Sequence, residues 1–158
     1  WTGANSTFYD VAANWSSSGG GVPTSSDNIT IPNGLSNYPV VRTSVSITDV
    51  TINAGATLNI SGSGTLTVSG TFNASGNTTF TGAGTLDLSG PVTSLGTFTE
   101  STGTVKYSDG SAQNIDADDY YNLTISGGAT KGKPSMTSRN SSLVSTPGLE
   151  YVPLWDIL

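Results

Sequence analysis

From Val45 onward apolar residues fall at every second position in short bursts: Val45/Ile47, Val50/Ile52, Leu58/Ile60, Leu66/Val68, Leu86/Leu88, Val105/Tyr107 and Leu123/Ile125. A period of two marks a strand that buries one face. Each burst is brief, and Gly or Ser-Gly ends nearly all of them. The bursts also repeat. Residues 61–80 laid over 81–100 agree at eight of twenty positions: Gly62/Gly82, Gly64/Gly84, Thr65/Thr85, Leu66/Leu86, Ser69/Ser89, Gly70/Gly90, Gly76/Gly96 and Thr79/Thr99. The shared core G-T-φ-x-φ-S-G (φ apolar) returns in looser form at Gly103–Gly110. A period in this range means one supersecondary unit stacked on copies of itself. The turn pairs that close antiparallel hairpins are mostly missing. The pattern therefore predicts an all-β parallel β-solenoid of about four coils of about 20 residues, each with three short strands and three corners. Leu66 then stacks on Leu86 and near Val105, and Val68 on Leu88 and Tyr107.

The ends depart from this rhythm. Residues 1–43 hold Trp1, Trp15, Phe8, Tyr9 and Tyr38, with one clear strand at Asn28–Ile31. Aromatics gathered at one end of an array suit an N-terminal cap, since a bare end exposes core and unpaired backbone. The coils are expected over residues 44–130. The last of them carries DADDYY (Asp116–Tyr121), read as an insertion at a corner. Residues 131–158 form a non-repetitive tail. Its apolar end, with Tyr151, Leu154, Trp155, Ile157 and Leu158, is expected either to cap its own last coil or to dock on a neighbour. Docking by strand addition is a head-to-tail contact that builds a filament.

Composition narrows the function. The 158 residues are 34% hydrophobic and 10% charged, with 24 Ser, 24 Thr and 20 Gly. This suits a thin β core under a hydroxyl-covered surface. The net charge is −6, with five basic residues, Arg42, Lys106, Lys131, Lys133 and Arg139. That leaves no basic footprint for nucleic acid. No apolar run approaches the length of a membrane-spanning helix. The sequence contains no Cys and no His, so disulfides, thiolate metal sites and imidazole chemistry are excluded. A start at Trp1 without Met fits a secreted protein whose leader has been removed, as it fits a trimmed chain.

The opening combines W-T-G-A (Trp1–Ala4), A-A-N-W (Ala12–Trp15) and V-P-x-x-x-D-x-φ-x-I (Val22, Pro23, Asp27, Ile29, Ile31). INAGATLNISGSGTLTVSG, GTVKYSDGSAQNI and YYNLTISGG follow. Over roughly residues 1–130 the chain resembles the right-handed parallel β-helix repeats of secreted bacterial surface proteins, the adhesin and autotransporter-passenger-like proteins of Bacteroidetes type. The resemblance implies a right-handed helix, export to the bacterial exterior or cell surface, and a scaffolding or adhesive role.

Candidate chemistry is sparse. Asp116, Asp118 and Asp119, with Asp109 nearby, offer the hard oxygen ligands that calcium takes; a solvated acidic corner accounts for the same residues, and no other cofactor is implied. Glycoside hydrolysis needs two facing carboxylates. The coil carboxylates are Asp49, Asp87, Glu100 and Asp109, and Asp87 points outward beside Thr67 and Lys106, so an enzyme is not expected. A polysaccharide-active β-helix or an ice-binding face along Thr65, Thr85 and Thr104 is the third reading; Asp87 and Lys106 interrupt the neighbouring Thr67 file. Eight N-x-S/T triplets, at Asn5, Asn14, Asn28, Asn59, Asn73, Asn77, Asn122 and Asn140, follow from composition and alternation. The leading expectation is an extracellular structural or adhesive solenoid that self-associates. The alternative is a carbohydrate-binding module that stacks extracellular glycans on Trp1 and Trp15.

Overall fold

The computed structural model describes residues 1–17 and 19–127, and the backbone of Lys131–Gly132 and Thr137–Ser138. Its strands form stacked coils, about five turns of a β-solenoid. Three parallel sheets run along the stack. The first contains β1 (Ile29–Ile31), β4 (Val50–Ile52), β7 (Phe72–Ala74) and β10 (Val92–Ser94). The second contains β2 (Val40–Val41), β5 (Thr57–Ile60), β8 (Asn77–Phe80) and β11 (Thr97–Thr99). The third contains β3 (Ser44–Ile47), β6 (Thr65–Val68), β9 (Thr85–Leu88), β12 (Thr104–Tyr107) and β15 (Asn122–Ile125). Two further parallel pairs join β13 (Gln113–Asn114) to β16 (Lys131–Gly132) and β14 (Asp119–Tyr120) to β17 (Thr137–Ser138).

The alternating bursts set the register. In the third sheet Leu66 pairs with Leu86 and Leu86 with Val105, while Val68 pairs with Leu88 and Leu88 with Tyr107. The inward files are buried, and the outward files of this sheet are Ser44/Thr65/Thr85/Thr104/Asn122 and Ser46/Thr67/Asp87/Lys106/Thr124. Phe72 and Phe80 fill the core from the other two sheets. Glycine stands where coils come close. A Cβ on Gly96, whose φ is +72°, would run into the carbonyl of Gly76 one coil below.

Three details differ from the expectation. First, the array starts before residue 44, because β1 and β2 already pair with β4 and β5; they carry no G-T-φ signature, so the repeat alone does not reveal them. Second, the tail expected from residue 131 begins with β16 and β17, which stack on the preceding coil. Third, Asp116–Tyr121 is not an insertion. The pairs Ser44/Thr65, Thr65/Thr85, Thr85/Thr104 and Thr104/Asn122 give coils of 21, 20, 19 and 18 residues. The last coil is thus the shortest, and Asp119–Tyr120 is a strand within it. Tyr151, Leu154, Trp155, Ile157 and Leu158 lie outside the described residues.

Candidate functional site

The cap is built around one buried polar residue. Asn14 ends a short 3-10 turn, Ala12–Asn14, and is fully buried. Its Oδ1 accepts the N–H groups of Asn5 and Ser6, each at 2.8 Å. Its Nδ2 donates to Ser6 Oγ at 3.0 Å and to the Phe8 carbonyl at 2.9 Å. The Asn14 carbonyl accepts from the Thr2 N–H at 2.7 Å and the Thr2 hydroxyl at 2.9 Å. One residue, through its side-chain amide and its backbone carbonyl, thereby ties together the Thr2, Asn5–Ser6 and Phe8 segments.

Around Asn14 the aromatics lock edge to face. Trp15 meets Trp1 at 4.9 Å and Tyr9 at 4.7 Å between ring centroids, in the T-shaped arrangement that the ring quadrupoles favour. Trp15 Nε1 donates to the Tyr9 carbonyl at 2.7 Å, and Trp1 Nε1 to the Asn37 carbonyl at 2.8 Å. Burial, with Asp27 nearby, pushes the Tyr9 phenol far above its ordinary pKa. The cap does its physical work: Ile29, Ile31 and Val41 of the first coil are as deeply buried as the middle of the stack. Trp1 is therefore a core residue, 8% exposed, and offers no stacking platform. Trp15 is half-buried and keeps part of its ring toward a cavity.

That cavity, about 340 Å³, is lined by Trp1, Trp15, Ser16, Ser17, Pro23, Asp27, Asn28, Ile29 and Thr30. A second one of about 290 Å³ lies beside it and shares Ser17, Pro23 and Asp27. Asp27 Oδ2 accepts the Thr24 N–H and the Thr24 hydroxyl, both at 2.8 Å. These two bonds hold its carboxyl below the usual carboxylate range, so it is ionised at neutral pH. Asn28 Oδ1 accepts the Asp49 N–H at 3.2 Å, tying the cavity wall to the next coil.

At the other end the acidic corner is not a ligand cage. Among the described residues no group of three His, Cys, Asp or Glu side chains is placed to hold a metal ion. Asp116 spends its carboxylate on the chain, Oδ2 accepting the Leu95 N–H at 2.5 Å and Oδ1 the Ala117 N–H at 3.0 Å. Asp118 is close enough to feel Asp116 and Asp119; burial first and then these charges push its carboxyl up to about 6. Beneath them Tyr107 and Tyr120 share a hydroxyl–hydroxyl bond of 2.9 Å, and Tyr120 donates to the Asp116 carbonyl at 2.8 Å. This corner is a structural knot. Gln113, 3% exposed and the single glutamine of the sequence, strengthens it by donating to the carbonyls of Leu88 and Gly90 at 2.9 and 2.7 Å.

On the outward faces Asp87 pairs with Lys106 at 2.8 Å and accepts the Ser108 hydroxyl. Asp49 Oδ1 accepts the Thr71 N–H at 2.7 Å. These carboxylates serve the stack. The Thr65, Thr85 and Thr104 file lies in register beside this charged pair. The second sheet instead faces outward with Thr57/Asn77/Thr97 and Asn59/Thr79, all uncharged. No helix among the described residues is long and apolar enough to cross a membrane.

A protein-family model, Domain of unknown function (DUF8693), matches residues 1–124. No curated protein and no solved structure matches the chain.

Proposed function

This chain belongs to the DUF8693 family, and on that premise we propose that it is a structural, adhesive β-solenoid module of a bacterial exterior surface. The observation that carries the reading is the set of outward files. Hydroxyl and amide side chains repeat in register on sheets closed at one end by the aromatic cap. Such files present many copies of one weak contact, and weak contacts held on one scaffold add to avidity. The low charge and the resemblance to secreted surface repeats support the location. Self-association remains part of the proposal, but the cap restrains it. At the capped end Phe8 bridges to Val40 and occupies the outer side of β2, whereas β1 and β3 are edge strands of their sheets. A head-to-tail joint would therefore form on the β1 and β3 edges.

The test is retention of beads carrying the whole chain, under shear, on glass, mucin and polysaccharide coatings. Retention above beads carrying an unrelated protein of equal net charge is expected. Equal wash-off from every surface would remove the adhesive role. Sedimentation over a concentration series tests the self-association.

A further inference from the structure

We infer that the paired cavities beside Trp15 form a binding cleft for a neutral saccharide. The inference rests on the adhesive reading and names its ligand class. The first cavity lies within the range of small-ligand sites, about 300–1,000 Å³, and the second extends it past Ser17 and Asp27. Two adjoining cavities suit two or more linked sugars better than one compact ligand.

The lining matches the two sides of a pyranose. A sugar ring has an apolar C–H face and a rim of hydroxyls. The uncovered part of the Trp15 ring supplies the apolar wall, and the T-shaped contacts with Trp1 and Tyr9 hold it still, so little entropy is lost on binding. Asp27 uses Oδ2 on Thr24 and keeps Oδ1 for a hydroxyl donor. Asn28 uses Oδ1 on Asp49 and keeps Nδ2 to donate. A vicinal diol meets this acceptor and donor together. Thr30, outward on β1, adds a hydroxyl that serves either way.

Charge selects among saccharides. The chain carries −6 and the cleft carries an ionised carboxylate, so uronate or sulfated polymers are repelled. A cation over Trp15 is the competing occupant, and a cationic probe distinguishes it from a sugar.

The test is calorimetry and tryptophan fluorescence of the whole chain with neutral glucan, mannan and xylan tetrasaccharides, with tetramethylammonium as the cationic probe. At least one tetrasaccharide binds, and Asp27→Asn weakens it about tenfold, the loss of one charge-assisted hydrogen bond. Thr30→Val, which keeps the shape and removes the hydroxyl, also weakens it. Thr30→Val keeps the wild-type melting temperature, and binding to Asp27→Asn, which also loses its charged bonds to Thr24, is measured well below that variant's own melting transition. The cleft is overturned if no tetrasaccharide binds at about 10 mM, far above the usual affinity of a built site, if neither variant changes the affinity, or if only tetramethylammonium binds. Beads that hold under shear while no tetrasaccharide binds the chain sink the cleft and leave the adhesive module standing. Wild-type beads that hold nowhere sink the module itself.

Discussion

Replacing Asn14 with Leu tests the cap at its centre. Leu has a similar size, so the change is one of polarity. It strands the N–H groups of Asn5 and Ser6, which Asn14 Oδ1 now accepts at 2.8 Å, and leaves the Phe8 carbonyl without its donor. A buried group left unsatisfied costs about 1–3 kcal/mol. Asn5 is exposed and Ser6 half-buried, so water recovers part of the loss. The expected destabilisation is about 2–4 kcal/mol, a large share of the roughly 5–15 kcal/mol that holds a domain together. Urea unfolding followed by tryptophan fluorescence reports on it directly, because Trp1 and Trp15 both lie in the cap. Far-ultraviolet circular dichroism follows the coils in parallel. Asn14→Asp sharpens the test. The new carboxyl still accepts from Asn5 and Ser6 but turns an oxygen on Ser6 Oγ and the Phe8 carbonyl. Burial then raises its folded pKa above the unfolded value of about 4. The folded state holds that proton more tightly, so the variant is most stable below pH 4 and weakens as pH rises through the folded value. A loss below about 1 kcal/mol for Asn14→Leu, the size of one ordinary hydrogen bond, would refute the reasoning. So would a pH profile for Asn14→Asp that parallels the wild type.

Three further outcomes follow from the stack. Leu86→Ala, at a fully buried site between Leu66 and Val105, is expected to cost about 3–5 kcal/mol by denaturant unfolding, and a cost under 1 kcal/mol would mean that the file does not carry the core. Gly90→Ala drives a Cβ into the carbonyl oxygens of Gly70 and Ser69, whereas nothing lies within 4 Å of a Cβ on Gly110; thermal denaturation should show about 1–3 kcal/mol lost for the first and under about 0.5 for the second, and equal losses would contradict the close approach of the coils. Asp118 has a carboxyl raised from 3.8 to about 6, so its ionisation opposes folding: the penalty is absent below pH 4, grows as pH rises toward 6, and is full above it. Asp118→Asn should therefore stabilise the chain at pH 7, by about 3 kcal/mol without screening and about 1 kcal/mol once solvent is allowed for, and leave it unchanged at pH 3; no pH-dependent difference would rule the penalty out.

The repetitive part of the fold was legible because two periods act on the same residues. Alternation places Leu66, Leu86 and Val105 inward, and the shift near twenty places them over one another. β1 and β2 were harder to see as coil strands, since they share the geometry but not the G-T-φ motif. The cap had no period to read. Trp1 bonds to Asn37 and Tyr9 feels the charge of Asp27 only through the tertiary fold, so the sequence suggested a cap without showing that Trp1 and Tyr9 are core and Trp15 only half-buried. Asn14 looked like one of several N-x-S/T triplets, and its four side-chain hydrogen bonds are invisible without coordinates. The acidic run stayed ambiguous for a related reason. Four Asp within eleven residues, from Asp109 to Asp119, resemble a ligand set until Asp116 is seen to hold the backbone of Leu95. Trp15 and Asp27 were both visible, but only the fold brings them, with Pro23, around one cavity.

The pairing of Lys106 with Asp87 has a consequence beyond its energy. A stack of look-alike layers can make an error that most folds cannot: it can skip a layer, loop it out, and still match apolar file to apolar file in the layers that remain. Residues 61–80 and 81–100 are alike enough for that mistake. Closing one layer short would set Lys106 beside Thr67 and leave Asp87 in the loop. The pair is partly exposed and so contributes only about 0.2–1 kcal/mol, too little to hold the molecule together. The lost burial of Leu86 and Leu88 already disfavours the short count, and the charge pair adds at most about fivefold to that margin. The opposite-charge pair on this hydroxyl and amide face thus works as a serial number, telling one layer from its near copy.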